Sequence, residues 1–160
     1  MSKQTIKFNF FRSVFKWYDP RNIFAWIIRF RLNGYYNHVS IEIPHLKLHY
    51  QSRTGYGVTK EKTLHAKPQK TIELPFNNFK KADQYINWLN SQVGNGYDYK
   101  AIILGFFGSR KIQNSKRWFC SELANTYFIK YCGITETNKN LVSPKDFLNR
   151  CLYFKKGGER

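Results

Sequence analysis

Cysteine is scarce in this chain, with three residues in 160. An odd and widely spaced set provides no disulfide framework of the kind that holds small secreted domains together. We therefore expect a reducing compartment, in which a free thiol stays usable. The ligand spacing CxxC is also missing, and the sequence shows no tight cluster of candidate ligands, so we expect neither a zinc site nor any other cofactor.

Long apolar runs are missing as well. The best candidate, Ile23–Ile28, is bounded by Arg21 and Arg29 and is much shorter than the ~20 residues that a membrane-spanning helix needs. Lys3 and Lys7 are not followed by an apolar core of about 7–15 residues and a small-residue cleavage site, the pattern of a secretion signal. We expect a cytoplasmic protein, with peripheral attachment to a membrane as the alternative.

Acidic residues are outnumbered, since 10 Asp and Glu stand against 27 Lys and Arg and give a net charge of +17. A surface of this charge attracts polyanions, so nucleic acid, anionic lipid and acidic wall polymer are all candidate partners. Charge alone does not choose among them. Aromatic residues are interleaved with Lys and Arg, but no standard nucleic-acid-binding motif is present.

Apolar and aromatic residues are plentiful, at 42% and 18% of the chain, which excludes a disordered protein. We assign residues 1–154 to one domain and residues 155–160 to a polar tail. The hydrophobic patterns predict an α+β fold in which a small antiparallel sheet packs against helices. The predicted strands are 5–11, 37–43, 46–51, 57–59 and 70–74, and the predicted helices are 20–32, 78–93, 100–107, 119–131 and one that begins at Ser143.

The strands 37–43 and 46–51 form a predicted hairpin in which polar side chains share one face. His38 lies on this face together with His49 and Gln51, because every register that keeps the alternation brings them to the same side. A pairing of Glu42 with Lys47 favours the register that sets His38 directly opposite Gln51.

Cys120 lies at the predicted start of helix 119–131. A helix N-terminus carries partial positive charge and free N–H groups, which favour a thiolate. Four cationic residues also precede it, with no acidic residue between Asp98 and Glu122: Arg110, Lys111, Lys116 and Arg117. The alternative for Cys120 is a buried structural cysteine, the interpretation that best fits Cys132 and Cys151.

His38 is the candidate general base and acid for this thiol. A neighbour on the next strand can hydrogen-bond one ring nitrogen and fix the tautomer, as the third member of a catalytic triad does. Both His49 and Gln51 qualify, and both stay candidate catalytic residues with Cys120 and His38. Tyr97 and Trp118 are the candidate substrate-binding residues.

These residues, in this order, resemble the circularly permuted branch of the NlpC-type papain-like hydrolases, which includes YiiX-like proteins and lecithin:retinol acyltransferase-like enzymes. The resemblance covers nearly the whole chain: Ile6–Phe11 is similar to the opening strand, Asn22–Leu32 to the helix before the histidine, Asn37–Ile41 to the histidine strand, Gly94–Phe107 to the segment before the nucleophile, Phe119–Leu123 to the nucleophile motif, and Val142–Phe147 to the segment after it. YiiX-like members usually carry Glu as the third polar residue, whereas this chain offers His49 or Gln51.

The resemblance implies two-step acyl transfer through a Cys120 thioester, with His38 protonating the leaving group. The leading expectation is hydrolysis of an amide in a peptide or a peptidoglycan cross-link. A lipid acyltransferase or lipase on the same scaffold is the first alternative, and its substrate would be an acyl lipid. The second alternative is an inert, basic binding module for nucleic acid or another anionic surface.

Overall fold

The computed structural model describes residues 4–12, 35–99, 116–134 and 142–157. The predicted helices 20–32 and 100–107 lie outside the described residues, as do Arg110 and Lys111. The described part confirms the α+β class, because it contains a five-stranded antiparallel sheet together with helices.

The sheet has the strand order β4-β3-β2-β1-β5. Its strands are β1 (Thr5–Phe11), β2 (His38–Ile43), β3 (Leu48–Arg53), β4 (Gly57–Glu61) and β5 (Lys70–Pro75). A short parallel pair joins β6 (Gly96–Tyr97) to β7 (Arg117–Trp118). The helices are α1 (Phe79–Gln92), α2 (Cys120–Thr126), which continues as a π-helical turn over Tyr127–Tyr131, and α3 (Pro144–Lys155).

The core lies between one face of the sheet and the helices, and it is largely aromatic. Phe8 on β1 is fully buried, and its ring meets Phe147 of α3 at 4.9 Å and Tyr127 at 5.4 Å between centroids, both edge to face. Burying a side chain of this size stabilises a fold by about 1.5–3 kcal/mol. The alternation in β1 therefore fixes which face of the sheet receives α2 and α3.

The helix starts follow from local sequence. The Asn78 side chain accepts a hydrogen bond from the Lys81 N–H at 3.0 Å and caps α1. Ser143 and Asp146 form a reciprocal capping box at α3, with Pro144 in the first turn, where its missing N–H costs nothing. Lys155 belongs to α3, so the predicted polar tail starts one residue later. Within the described ranges, no helix is both long and apolar enough to cross a membrane.

The hairpin register differs from the predicted one by two residues. Glu42 pairs with His49, not with Lys47, because Pro44–Leu46 forms a short 3-10 turn and Lys47 adopts a left-handed conformation with φ of 53°. These residues lengthen the loop and move the pairing along β3. A shift of two keeps each side chain on its predicted face, although the polar face is not solvent-exposed throughout, since Ser40 is fully buried.

Candidate active site

Cys120 is the first residue of α2, and the segment before it approaches the end of the hairpin farthest from the turn. Paired residues join β2 to β3 over Ile41–Ile43. Beyond that point the Ser52 hydroxyl of β3 donates to the Trp118 carbonyl at 2.6 Å, and the backbone N–H of Val39 hydrogen-bonds the Cys120 sulphur. The thiol therefore lies against the amide of the residue that directly follows the candidate histidine.

His38 opens β2, and its ring is held from the neighbouring strand. The His38 Nε2 lies 3.0 Å from the Gln51 Oε1, and Gln51 is buried. On the other side, the ring of Phe11 in β1 lies 5.6 Å from the imidazole between centroids. The structure thus joins His38 to Gln51, and it places the Cys120 sulphur at the amide of Val39, the residue next to His38.

His49 occupies a different place on the same face. It pairs with Glu42 on β2 and with Glu61 on β4. Its Nδ1 is buried and lacks a hydrogen-bond partner in the part of the chain that the structure describes. Of the two candidates for the third residue, the hydrogen bond to His38 comes from Gln51.

Burial determines the pKa of the Cys120 thiol, because Cys120 is only 2% exposed. Desolvation raises the pKa of the thiol to about 12, since a buried anion loses its hydration. The backbone N–H groups of Val39 and Ser121 lower the pKa, while the Glu122 carboxylate raises it. The expectation of a resting thiolate is therefore wrong for this structure, because burial outweighs the amides at the helix start.

His38 is shifted in the opposite direction. Desolvation of the ring lowers its pKa below 6.5, the Gln51 hydrogen bond partly opposes this, Arg53 lowers the pKa further and Glu61 raises it. At neutral pH the resting pair is consequently a neutral thiol and a neutral imidazole. Such a histidine has a free lone pair and is suited to accept the thiol proton during attack.

Tyr97 and Trp118 flank the thiol through β6 and β7, where they pair with each other. Tyr97 is buried, and its pKa is raised by desolvation and by Cys120, which places it in the neighbourhood of the sulphur. Trp118 is tied instead to α1, because its Nε1 donates to Gln92 Oε1 at 3.0 Å and its ring meets Trp88 edge to face at 5.5 Å. These contacts give Trp118 a packing role.

Glu122 places a carboxyl group in the first turn of α2, close to the thiol. Its Oε2 accepts a hydrogen bond from the Phe119 N–H at 3.2 Å and so caps the helix. Desolvation raises its pKa to about 7, the Phe119 N–H opposes this, and the charge of buried Asp98 adds to the rise. The site therefore contains an acid that changes charge near neutral pH.

Two polar residues near the site are absent from the sequence prediction. Ser52 anchors the segment before Cys120, and Glu61 accepts a hydrogen bond from Gln51 Nε2 at 3.2 Å. The predicted strand 57–59 ends two residues before Glu61, whereas β4 extends through it. Continuing the alternation past Thr59 would have placed Glu61 on the face of Gln51.

The chemistry available at this site is that of a thiol, an imidazole and an amide. Within the described ranges, no group of three or more His, Cys, Asp or Glu side chains is arranged to hold a metal ion. Comparisons with family models, with curated proteins and with solved structures found no match to this chain.

Proposed function

We propose that this protein is a cysteine hydrolase that cleaves an amide bond, with Cys120 as nucleophile, His38 as base and acid, and Gln51 as the residue that orients His38. The observation that carries the proposal is the 3.0 Å contact of His38 Nε2 with Gln51 Oε1. On the same strand, the amide of Val39, the residue after His38, hydrogen-bonds the Cys120 sulphur. An oriented imidazole beside a thiol at a helix start is the arrangement that covalent thiol catalysis needs.

The reaction starts from the neutral pair. As the Cys120 sulphur attacks the carbonyl carbon, the thiol proton passes to His38, and the carbonyl oxygen becomes an oxyanion. The Cys120 backbone N–H at the start of α2 is the proposed donor to this oxygen. His38 then protonates the leaving amine, and a thioester remains. Water, deprotonated by His38, attacks the thioester, releasing the carboxylic acid and restoring the thiol.

The proposed substrates are a peptide or a peptidoglycan-type amide. The net charge of +17 supports action near an anionic polymer or membrane, because a basic surface raises the local concentration of such material. The lipid acyltransferase alternative is supported by the set His38, His49 and Cys120 and by the aromatic, basic N-terminal helix, which lies outside the described residues. Since Gln51 holds His38 in this structure, we place amide hydrolysis first. The resemblance to permuted NlpC-type hydrolases supports acyl transfer through a thiol, which is the chemistry that both candidates share.

The test is a panel of fluorogenic peptide amides and activated acyl esters, with acid-quenched intact-mass detection of the acyl-enzyme. We expect a thioester on Cys120, loss of turnover in Cys120→Ala, and retained turnover in Cys132→Ala, a control at a partly exposed cysteine. Turnover that survives Cys120→Ala, acylation that maps to Cys132, or no acylation by any member of the panel would each overturn the proposal.

One observation favours the inert binding module as a second candidate. Cys120 is 2% exposed and its pKa is raised to about 12, as in a structural cysteine. If this candidate is correct, nucleic-acid binding will weaken as salt rises and will be unchanged in Cys120→Ala, with no acylation in the panel above. Thiol-dependent turnover by the wild type excludes it.

A further inference from the structure

Gln51 makes two hydrogen bonds through the two ends of its side-chain amide. Its Oε1 lies 3.0 Å from His38 Nε2, and its Nε2 lies 3.2 Å from Glu61 Oε2. A carboxylate only accepts hydrogen bonds, so the amide must present its NH₂ group to Glu61. The oxygen of Gln51 is then left facing His38.

This orientation determines the protonation of the imidazole. Because the Gln51 oxygen can only accept, His38 Nε2 must carry the proton, and in the neutral ring Nδ1 then holds the free lone pair. The hydrogen-bond chain therefore specifies the tautomer from the carboxylate inward. The proton position follows from this network and not from the imidazole itself.

The carboxylate at the start of the chain is itself firmly held. Glu61 Oε1 accepts a hydrogen bond from the Thr59 hydroxyl at 2.8 Å and lies 3.3 Å from an Arg53 guanidinium nitrogen, while His65 Nε2 lies 2.8 Å from Oε2. Burial alone would raise the pKa of Glu61, but the Thr59 hydrogen bond, the charges of Arg53 and His65 and the Gln51 hydrogen bond outweigh it and lower the pKa. Glu61 is thus ionised at neutral pH.

We propose that Glu61 is a positioning residue for His38: acting through Gln51, it holds the imidazole in the Nε2-protonated tautomer. As a statement about catalysis this rests on the proposed function, because that tautomer leaves Nδ1 free to take the thiol proton. Glu61 also supplies the negative charge that Gln51 lacks, and so stabilises the imidazolium that forms when the proton is taken.

The first test reads the tautomer without any substrate. In protein labelled with ¹⁵N-histidine, the His38 signal is assigned by its loss in His38→Ala, and its nitrogen shifts report which ring nitrogen is protonated. We expect the Nε2-protonated form in the wild type. In Glu61→Gln, the new amide keeps its oxygen toward Arg53 and Thr59 and presents NH₂ to Gln51, so Gln51 flips and the proton moves to Nδ1.

The matched control is Glu73→Gln, which removes the same charge from an exposed position on β5. We expect no change in the His38 signals in this variant. An Nε2-protonated His38 in both Glu61→Gln and Glu61→Ala, or an Nδ1-protonated His38 in the wild type, would overturn the inference.

An exchange variant covers the case in which Glu61→Gln folds poorly. Gln51→Glu combined with Glu61→Gln places the carboxylate directly on His38 and the amide behind it. We expect the Nε2-protonated tautomer again, together with a raised His38 pKa, because the charge now contacts the ring. A tautomer that does not follow the carboxylate in this variant contradicts the inference as well.

Activity separates this inference from the proposed function. If Cys120 is the nucleophile, Glu61→Gln should lower kcat by at least about 100-fold with KM little changed, as expected when a catalytic histidine is held in the wrong tautomer, and the exchange variant should recover much of the loss. A tautomer that follows Glu61 without thiol turnover in the wild type refutes the hydrolase and leaves the orienting role standing. Thiol turnover that is unchanged in Glu61→Gln supports the hydrolase and refutes the orienting role of Glu61.

Discussion

Replacing Glu122 by Gln tests the electrostatics of the site, because it removes one partly buried charge and keeps the shape and the acceptor for the Phe119 N–H. The folded pKa of Glu122 is about 7 against an ordinary value of 4.5, and each tenfold change in proton affinity is worth about 1.4 kcal/mol. Ionised Glu122 therefore costs the fold about 3 kcal/mol. Because the side chain is only partly buried, we expect a measured difference of about 2–3 kcal/mol.

The sign follows from which state binds the proton more tightly. A raised folded pKa means that the folded protein holds more protons than the unfolded chain between pH 4.5 and about 7. The contribution of Glu122 to stability is thus fully present below pH 4.5 and is lost as the pH rises through about 7. Glu122→Gln should match the wild type at about pH 4, below the ordinary pKa of Glu, and exceed its stability at about pH 8.5.

The assay is urea unfolding followed by tryptophan fluorescence at several pH values, with the difference between variant and wild type as the quantity of interest. This difference cancels the opposite slope from His38, whose lowered pKa removes stability as the pH falls below 6.5. Asp83→Asn is the matched control at an exposed position on α1, and it should show no comparable dependence on pH. A Glu122→Gln difference that stays flat with pH would refute the argument from burial.

Three further outcomes are expected. Acylation of Cys120 should fall as the pH drops through the His38 pKa, below 6.5; a rate that stays constant to about pH 5 contradicts a neutral pair. Ser52→Ala should cost about 1 kcal/mol in urea unfolding, because it removes the 2.6 Å hydrogen bond and leaves the Trp118 carbonyl only the Asp98 N–H at 3.3 Å. An equal loss in an exposed serine control, Ser91→Ala, contradicts that reason. Gly57→Ala should cost at least about 3 kcal/mol in the same assay, since its φ is +71° and a Cβ would lie 2.1 Å from the Asn95 oxygen. Gly55→Ala has open space around it and should cost only about 1–2 kcal/mol. Similar losses at both glycines contradict the clash at Gly57.

The strands and capped helices were predictable because their signals are local. Alternation in β1 and β2 reports a sheet with one face on the core, and Asn78 and Ser143 mark helix starts by residue type alone. The register of the hairpin was not predictable from facing residues, because the left-handed Lys47 in the loop set it. A shift of two nevertheless preserved the face, which is why Gln51 was correctly grouped with His38.

The protonation state of the Cys120 thiol was mispredicted because the sequence shows the charges that lower its pKa but not the burial that raises it. Basic neighbours and the helix start of Cys120 are visible in the sequence, and both favour a thiolate. The desolvation that reverses this is a tertiary effect, produced when the segment before α2 packs against β2 and β3. Long-range burial, unlike charge, has no local pattern from which it can be inferred.

The pKa values of Cys120 and His38 are shifted in opposite directions, and these shifts determine when the proton moves in the proposed hydrolase. With the thiol pKa raised and the imidazole pKa lowered, the ion pair is disfavoured at rest and proton transfer accompanies attack. The imidazolium then exists only while a substrate is reacting, and its stabilisation must come from a charge already in place. Glu61, ionised and hydrogen-bonded to Gln51, contributes such a charge without contacting the ring and acts against the positive charge of Arg53. A chain with an amide as its third residue can therefore support the same chemistry as one with a carboxylate, provided that the carboxylate stands directly behind it.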